Sequence, residues 1–543
     1  MNPRRYDILS CLALVVAAVL LYAHSLAFDL TYLDDNVWLI DYRWYLRNIA
    51  DLGGIFLKPD VLFGGLFYRP MIYLSFILDT RWAADGFTAY RVTNIGLHGI
   101  NSCLVYAILR MMAYDRRLVT CSAMCFTVHP VLAQAVVWIP GRTDSLLAVF
   151  VFSGFGAFVM WCRERRSLWL TAHAAALAGA LLTKETAVVL PVMCGLYVLL
   201  CARGVRFPRG LIPALVLWAV MVPVYLWLRG YVVGDLVQTA SQAAPGSVWH
   251  NLPAFLPYLG KVFFPVNLSV LPALADMTLV YGAIVLAGLI FLSLTPLTLD
   301  RKRLLFGALW FVIFLLPSFV LSFIEHEYRI YVPLLGILIV ILETGVPRAL
   351  LTRRQSVAAV AAAVTFLMLV AVNVIHARHF RNRLVYWESA VATSPSAPLA
   401  HRNLGAMYFL DNRYAEAEQA FLRARELNPR EAMVNNNLGV IYDKRGEEKK
   451  AEEAYRQEIK INPLYDNVYY NLGLLYARQE KYDLAVAHWR KAADLNPRNT
   501  MAYKYLAYYY VKTNQPQAAA PYLAELQRRG VAIPDPIDLL IRP

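Results

Sequence analysis

The sequence predicts an all-α protein in two parts, a polytopic membrane bundle followed by a helical-repeat solenoid. Three observations carry this. Apolar stretches of about 17–21 residues recur through the first 380 positions, short basic clusters separate them at alternate loops, and a 34-residue period runs through the rest. The chain has 543 residues, 59% of them hydrophobic, and a formal charge of +14. Its mean hydropathy of +0.45 excludes an ordinary soluble enzyme. Nor is the basic excess a nucleic-acid signature. It sits at Arg4/Arg5, Arg116/Arg117, Arg163/Arg165/Arg166, Arg203/Arg206/Arg209, Arg301/Lys302/Arg303 and Arg348/Arg353/Arg354, as expected of the cytoplasmic loops of a membrane protein. All seven cysteines lie in or beside apolar stretches, so neither a disulfide framework nor a zinc-type spacing is expected.

The first apolar stretch, roughly 8–28, follows Arg4-Arg5 with no obvious cleavage site and reads as a retained membrane helix. A long loop, about 29–90, comes next. Within it Met71 to Leu78 is apolar, but eight residues cannot cross about 30 Å of hydrocarbon, so this piece is expected in the interface. Further spans are read at about 92–112, 118–138, 144–162, 167–183, 186–202, 211–231, 278–297, 304–323, 330–347 and 356–376. Residues 252–272 are apolar but broken by Pro253, Pro257, Pro265 and Pro272. A crossing there would put Arg301-Lys302-Arg303 outside, so a re-entrant or interfacial segment is expected. About eleven spans then place the C-terminal region on the far side of the membrane.

From about residue 382 the composition becomes that of soluble helices. Asn403-Leu404-Gly405, Asn437-Leu438-Gly439, Asn471-Leu472-Gly473 and Tyr505-Leu506-Ala507 share one beat, as do Tyr408, Tyr442, Tyr476 and Tyr510. Ala417, Ala451, Ala485 and Ala519 recur likewise, and Asn428-Pro429, Asn462-Pro463 and Asn496-Pro497 mark the turns. This is the tetratricopeptide pattern. Trp387, Ala390 and Pro395 fit a preceding half repeat. The expected domains are therefore a membrane domain at 1–381, repeats at 382–530 and a tail at 531–543. The tyrosines read as core. The asparagines at 403, 437 and 471 suit either a groove that binds extended peptide or ordinary packing.

The unusual polar residues of the membrane part fall on the outer side. They are Asp34/Asp35, Arg69, His129, Arg142 with Asp144, Lys184 with Glu185, and Glu325-His326-Glu327-Tyr328-Arg329. Ionisable groups beside apolar segments are costly, which makes them functional candidates. Each also has a bland reading. Asp34/Asp35 could mark a solvated helix end, His129 could be a satisfied core histidine, Arg142 could pair with Asp144 across its turn, and Lys184/Glu185 could be an interfacial pair. Together they suit an anionic lipid head group and a proton transfer.

In order, Leu33-Asp34-Asp35, Tyr68-Arg69-Pro70, His129-Pro130, Gly141-Arg142-Thr143-Asp144, Lys184-Glu185-Thr186 and Glu327 with Tyr331-Val332-Pro333, followed by the repeats, resemble the transmembrane-and-TPR O-mannosyltransferases and their bacterial relatives. The resemblance implies a GT-C fold and sugar transfer from a polyprenyl-phosphate carrier to an extracytoplasmic acceptor, a protein Ser or Thr hydroxyl. It maps the family's acidic motif onto Asp34 and Asp35, with Asp34 as the base. Of the family's glutamate-arginine pair, Glu327 matches, Tyr328 takes the arginine's place and Arg329 lies one residue on. Independently of the name, a phosphate-linked sugar needs a base for the acceptor and cations for the departing phosphate. Arg69, His129, Arg142, Lys184 and Arg329 are the expected donor-phosphate ligands, and Asp144, Glu185 and Glu327 support them. No cofactor is expected to be required, although the Asp pair could hold a divalent metal. Expected partners are the lipid-linked sugar, a protein or peptide bound by the repeats, and the bilayer, but no nucleic acid. The C-terminus, Leu540-Ile541-Arg542-Pro543, carries no retention signal, so a bacterial inner membrane with periplasmic repeats is expected rather than the endoplasmic reticulum. A ligase of preassembled lipid-linked glycans and a non-enzymatic envelope scaffold stay open as alternatives.

Overall fold

Long apolar runs without charge have one stable form in hydrocarbon, the helix, because it satisfies its own backbone. The computed structural model describes residues 3–49, 53–57, 67–83, 86–202, 209–233, 249, 251–320, 327–353 and 355–531. Arg203, Arg206, Glu325, His326, Arg354 and the tail beyond Val531 lie outside them. The protein is all-helical over the described residues and divides into two compact units, Met1–Ser394 and Pro395–Pro543. The division falls C-terminal to the position 381 read from composition. The helix Arg383–Thr393, with Trp387 fully buried, lies in the first unit.

In the first unit, six described helices are long and apolar enough to cross a membrane, or eight if each of two bent pairs counts as one span. Shorter apolar helices at Ser167–Leu181, Glu185–Leu200 and Val280–Leu294 account for the remaining apolar stretches of the sequence. Side chains such as Leu20, Trp227, Phe291 and Leu367 stand exposed on these helices, as lipid-facing residues do. The protein is an integral membrane protein. Residues 252–272 contain only one α-helix, Phe255–Phe263, and its nine residues rise about 14 Å, less than half of the hydrocarbon.

The basic ends of the helices are tied together. The Arg303 guanidinium donates to the Met112 carbonyl at 3.1 Å, Arg163 donates to the Met111 carbonyl, and Arg116 pairs with Asp7 at 3.2 Å. Tyr114 donates to Glu343 at 2.6 Å in the same region. His129 and Arg142 lie at the opposite ends of the helices Arg116–Val128 and Arg142–Glu164, and Lys184 lies just beyond the end of Ser167–Leu181.

The interfacial piece is longer than its apolar run. The helix Pro70–Trp82 continues through Asp79 and Arg81, where the sequence suggested a stop after Leu78. It continues because Asp79 is neutralised from outside the segment, by Arg142 at 2.5 Å and by the Thr93 hydroxyl at 2.7 Å. At about 20 Å it remains too short to span.

The second unit is built of four helix pairs, from Pro398–Leu410 with Tyr414–Leu427 to Thr500–Lys512 with Pro516–Arg528. The first-helix glycines let each pair close. A Cβ on Gly439 would stand 2.5 Å from the Tyr455 ring, and one on Gly473 equally close to Trp489. Tyr476 and Tyr510 are buried, whereas Tyr408 and Tyr442 are half-buried against the core of the first two pairs.

A second beat sits at the turns inside the pairs. Asn412, Gly446, Glu480 and Asn514, each 34 residues apart, all have φ between 55° and 76°. This left-handed turn suits glycine and tolerates asparagine, but it strains a glutamate. Glu480→Asn is therefore expected to stabilise the third pair by about 0.5–1 kcal/mol. Slower amide exchange of Asp466–Leu495 in the full chain would register the gain, and unchanged or faster exchange would refute it.

Candidate active site

The first helix ends near Tyr22, and the chain turns over residues 29–36. Tyr32 takes a φ of 58°, which reverses the backbone around one side chain, Asp35. Asp35 Oδ2 accepts from the Thr31 N–H at 2.8 Å and the Thr31 hydroxyl at 3.0 Å. Its Oδ1 accepts from the Tyr32 N–H at 2.8 Å and the Asn36 N–H at 3.1 Å. Asp35 is only 1% exposed and is saturated with local donors. Behind it the buried Arg91 guanidinium contributes positive charge and donates to the Asp29 carbonyl at 2.7 Å.

Asp34 is the opposite case. No described donor bonds its carboxylate, and it is half-buried. Burial and the neighbouring Asp35 charge raise its pKa to about 6. Adjacent in sequence, the two acids are thus divided by the turn into a structural carboxylate and a free, basic one.

Two ion pairs share a neighbour with it, Tyr328. Lys184 Nζ binds both Asp144 oxygens, at 2.9 and 2.8 Å, and Arg69 pairs with Glu185 at 3.0 Å while lying 4.1 Å over the Phe67 ring. Between them sits Tyr328, on the short 3-10 turn Glu327–Ile330. Its ring lies 5.7 Å from Lys184 Nζ and 5.9 Å from the Trp138 ring. Its hydroxyl is within electrostatic reach of Arg329, Asp144, Asp34 and Arg69, and burial raises its pKa. Arg329 also senses Lys184 and donates to the Ser318 carbonyl at 3.4 Å. Asp34, Arg69, Asp144, Lys184, Glu185 and Arg329 therefore gather around Tyr328. Asp34, whose charged neighbour is Asp35, can take a proton at its raised pKa, while the cations around Tyr328 can hold a phosphate.

Three expected members are placed elsewhere. Arg142 is wholly buried and internally satisfied: it donates to Asn94 at 2.9 Å, to the Tyr90 carbonyl at 2.7 Å and to Ser75 at 3.4 Å, pairs with Asp79, and lies 4.4 Å over the Phe76 ring. It does not pair with Asp144, whose partner is Lys184. Arg142 pins the helix Pro70–Trp82 to its neighbours, with four of its five N–H donors engaged and no part of the side chain open to a phosphate. His129 likewise has both ring nitrogens engaged, by the Val262 carbonyl at 2.9 Å and the Val131 N–H at 3.4 Å, which is the satisfied-core reading. Glu327 is buried and binds Lys261 at 2.7 Å.

The sequence reading missed Tyr328 as a centre, Asp79 as a partner and Lys261 altogether. Lys261 had a signal: it is the one charged residue in the apolar stretch 252–272. Tyr328 was marked only as standing in the place of the family's arginine, because an aromatic at a membrane border is ordinary.

In the repeat unit the asparagines form a chain between pairs. Asn471 Nδ2 donates to Asn436 at 2.9 Å, and Asn436 donates to Asn437 at 3.3 Å. Asn403 accepts from Arg402 at 3.3 Å. Asn437 also lines a cavity of about 210 Å³ with Ala406, Phe409, Leu410, Phe421 and Val440.

The fold and this cluster define the class: an all-helical integral membrane protein with an acid and cation cluster on its loops and a tetratricopeptide array. A tetratricopeptide repeat family model matches residues 385–431, 412–466 and 467–499. Among curated proteins, the protein O-mannosyl-transferase Tmtc1 of Drosophila melanogaster is 35% identical over 133 residues, covering 24% of this chain and 15% of that protein. TMTC3 of Mus musculus is 25% identical over 150 residues, covering 26% and 16%, and Drosophila Tmtc2 is 26% identical over 202 residues, covering 35% and 21%. The matched stretches span at most about a fifth of these relatives' length. The chain resembles the transmembrane-and-TPR O-mannosyltransferases, and these relatives are named protein O-mannosyl-transferases. Among solved structures, MamA from Desulfovibrio magneticus RS-1 is 21% identical, covering 27% of this chain and 82% of that one, with a TM-score of 0.24.

Proposed function

We propose that this protein is a membrane glycosyltransferase of GT-C type. It moves a sugar from a polyprenyl-phosphate carrier to a Ser or Thr hydroxyl of an extracytoplasmic protein, which the repeats recruit. One observation carries the proposal: of the two adjacent acids, only Asp34 keeps an unbonded carboxylate, and it shares the surroundings of Tyr328 with Arg69, Lys184 and Arg329.

In this reading Asp34 takes the proton of the acceptor hydroxyl. The acceptor oxygen forms the new bond to the anomeric carbon. The bond from that carbon to the phosphate oxygen breaks, and its electron pair leaves on polyprenyl phosphate. Lys184, Arg69 and Arg329 stabilise that leaving charge; salt bridges to Asp144 and Glu185 hold Lys184 and Arg69 in place. A monophosphate leaving group needs no resident metal, and both Asp35 oxygens are already committed to the backbone. The buried positions of Arg142 and His129 leave them out of the chemistry. The repeat asparagines beside the Asn437 cavity suit an extended peptide. The cluster would face the periplasm of a bacterial inner membrane.

The test is a reconstitution in lipid nanodiscs with polyprenyl-phosphate mannose and a Ser/Thr-containing secreted protein. Mannose on the protein and release of polyprenyl monophosphate, unaffected by a chelator, are expected. Transfer only of a preassembled glycan from a diphosphate donor would mean a ligase instead. No consumption of either donor would leave the scaffold reading.

A further inference from the structure

The stretch 252–272 looks from sequence like a piece of chain whose only question is whether it crosses the membrane. Its contacts give it a different role. Lys261 is 9% exposed and places Nζ 2.7 Å from Glu327 Oε1. The same oxygen accepts the Ser269 N–H at 2.8 Å, so two points of the segment hold one carboxylate. The other Glu327 oxygen lies 3.7 Å from His376 Nε2, too far for a direct hydrogen bond. The segment is itself anchored. His129 bonds the Val262 carbonyl, Gln134 donates to the Val270 carbonyl at 3.3 Å, and the Tyr386 hydroxyl donates to that carbonyl at 3.1 Å.

Glu327 immediately precedes Tyr328, the centre of the cluster, and Arg329, one of its cations. Burying an ion pair is a poor way to gain stability, because desolvation offsets most of the attraction and an apolar pair would serve as well. What the pair supplies is a fixed direction. One oxygen is held by a side chain and by a backbone N–H at once, which leaves the turn a single orientation. We infer that Lys261 and Glu327 form a buried latch through which the 255–271 segment sets Tyr328 and Arg329 against Lys184 and Asp144. Both are positioning residues of the donor site, and the inference rests on the glycosyltransferase reading for its catalytic consequence.

The test uses the full chain in nanodiscs, with Lys261→Met, Glu327→Gln and the double variant K261M/E327Q. Amide exchange over Tyr328–Tyr331 reads the latch without any activity. It is expected to quicken in each variant, while exchange of the helices Thr88–Met111 and Arg142–Glu164 stays as in wild type. Donor kinetics read the consequence: the KM for polyprenyl-phosphate mannose, and the Kd for polyprenyl monophosphate, are expected to rise about tenfold or more, with kcat changed less. The double variant, which leaves no uncompensated buried charge, is expected to recover thermal stability but not KM. Recovery of both would make the pair merely structural and overturn the inference. So would unchanged exchange at Tyr328–Tyr331. A wild-type protein that neither binds polyprenyl monophosphate nor transfers sugar would overturn the glycosyltransferase reading instead, and the exchange result would still decide the latch.

Discussion

Asp34→Asn is expected to lower turnover by about 10²–10⁴-fold, the usual contribution of a positioned general base, while the Kd for polyprenyl monophosphate stays near wild type. Asparagine keeps the shape and removes the basicity. The pH profile gives an independent signature. Burial and Asp35 raise the pKa of Asp34 to about 6, and the active form is the ionised one. The rate should therefore climb as pH rises through about 6 and level off above it, and the variant should lose that limb. Near wild-type turnover in folded Asp34→Asn protein would remove Asp34 from the chemistry. Asp35 is the natural control, because its four hydrogen bonds predict a loss of stability rather than of basicity.

Arg142→Met is expected to destabilise the membrane unit by about 3–5 kcal/mol, the cost of leaving a buried carboxylate without its partner. The uncompensated group is Asp79, and the effect should appear as poor insertion or a lower melting temperature. Adding Asp79→Asn should recover much of the loss, since it removes the stranded charge. A phosphate ligand would behave differently, with weaker carrier binding in a protein of normal stability. That outcome would return Arg142 to the site. The contrast with Lys184 is instructive, because both cations pair with an aspartate, yet Arg142 is 0% exposed and Lys184 keeps 14% of its side chain accessible beside Tyr328.

Legibility followed the range of the interaction. The repeats were readable to the residue, because Gly439 meets Tyr455 and Gly473 meets Trp489 within a single pair and the pattern returns every 34 positions. The helix Pro70–Trp82 was readable only as far as Leu78, because what lets it continue is an arginine more than sixty residues away. The pairing of Arg142 with Asp144 was the nearest arrangement in sequence and proved wrong. Both side chains found partners on other segments, Asp79 and Lys184.

The sequence by itself determined the membrane class, the helical repeats and a short set of charged residues collected at one end of the bundle. Hydropathy, basic clusters and a fixed period are properties of the chain alone, and water and hydrocarbon act on them locally. Which of those charged residues meet was decided only by tertiary structure. Burial makes an ionised group seek a partner wherever the packed helices offer one, and that partner is set by geometry across the bundle. Asp34 and Asp35 show the difference most plainly: adjacent and chemically alike in sequence, they become an unbonded carboxylate and a saturated structural one once the turn at Tyr32 closes.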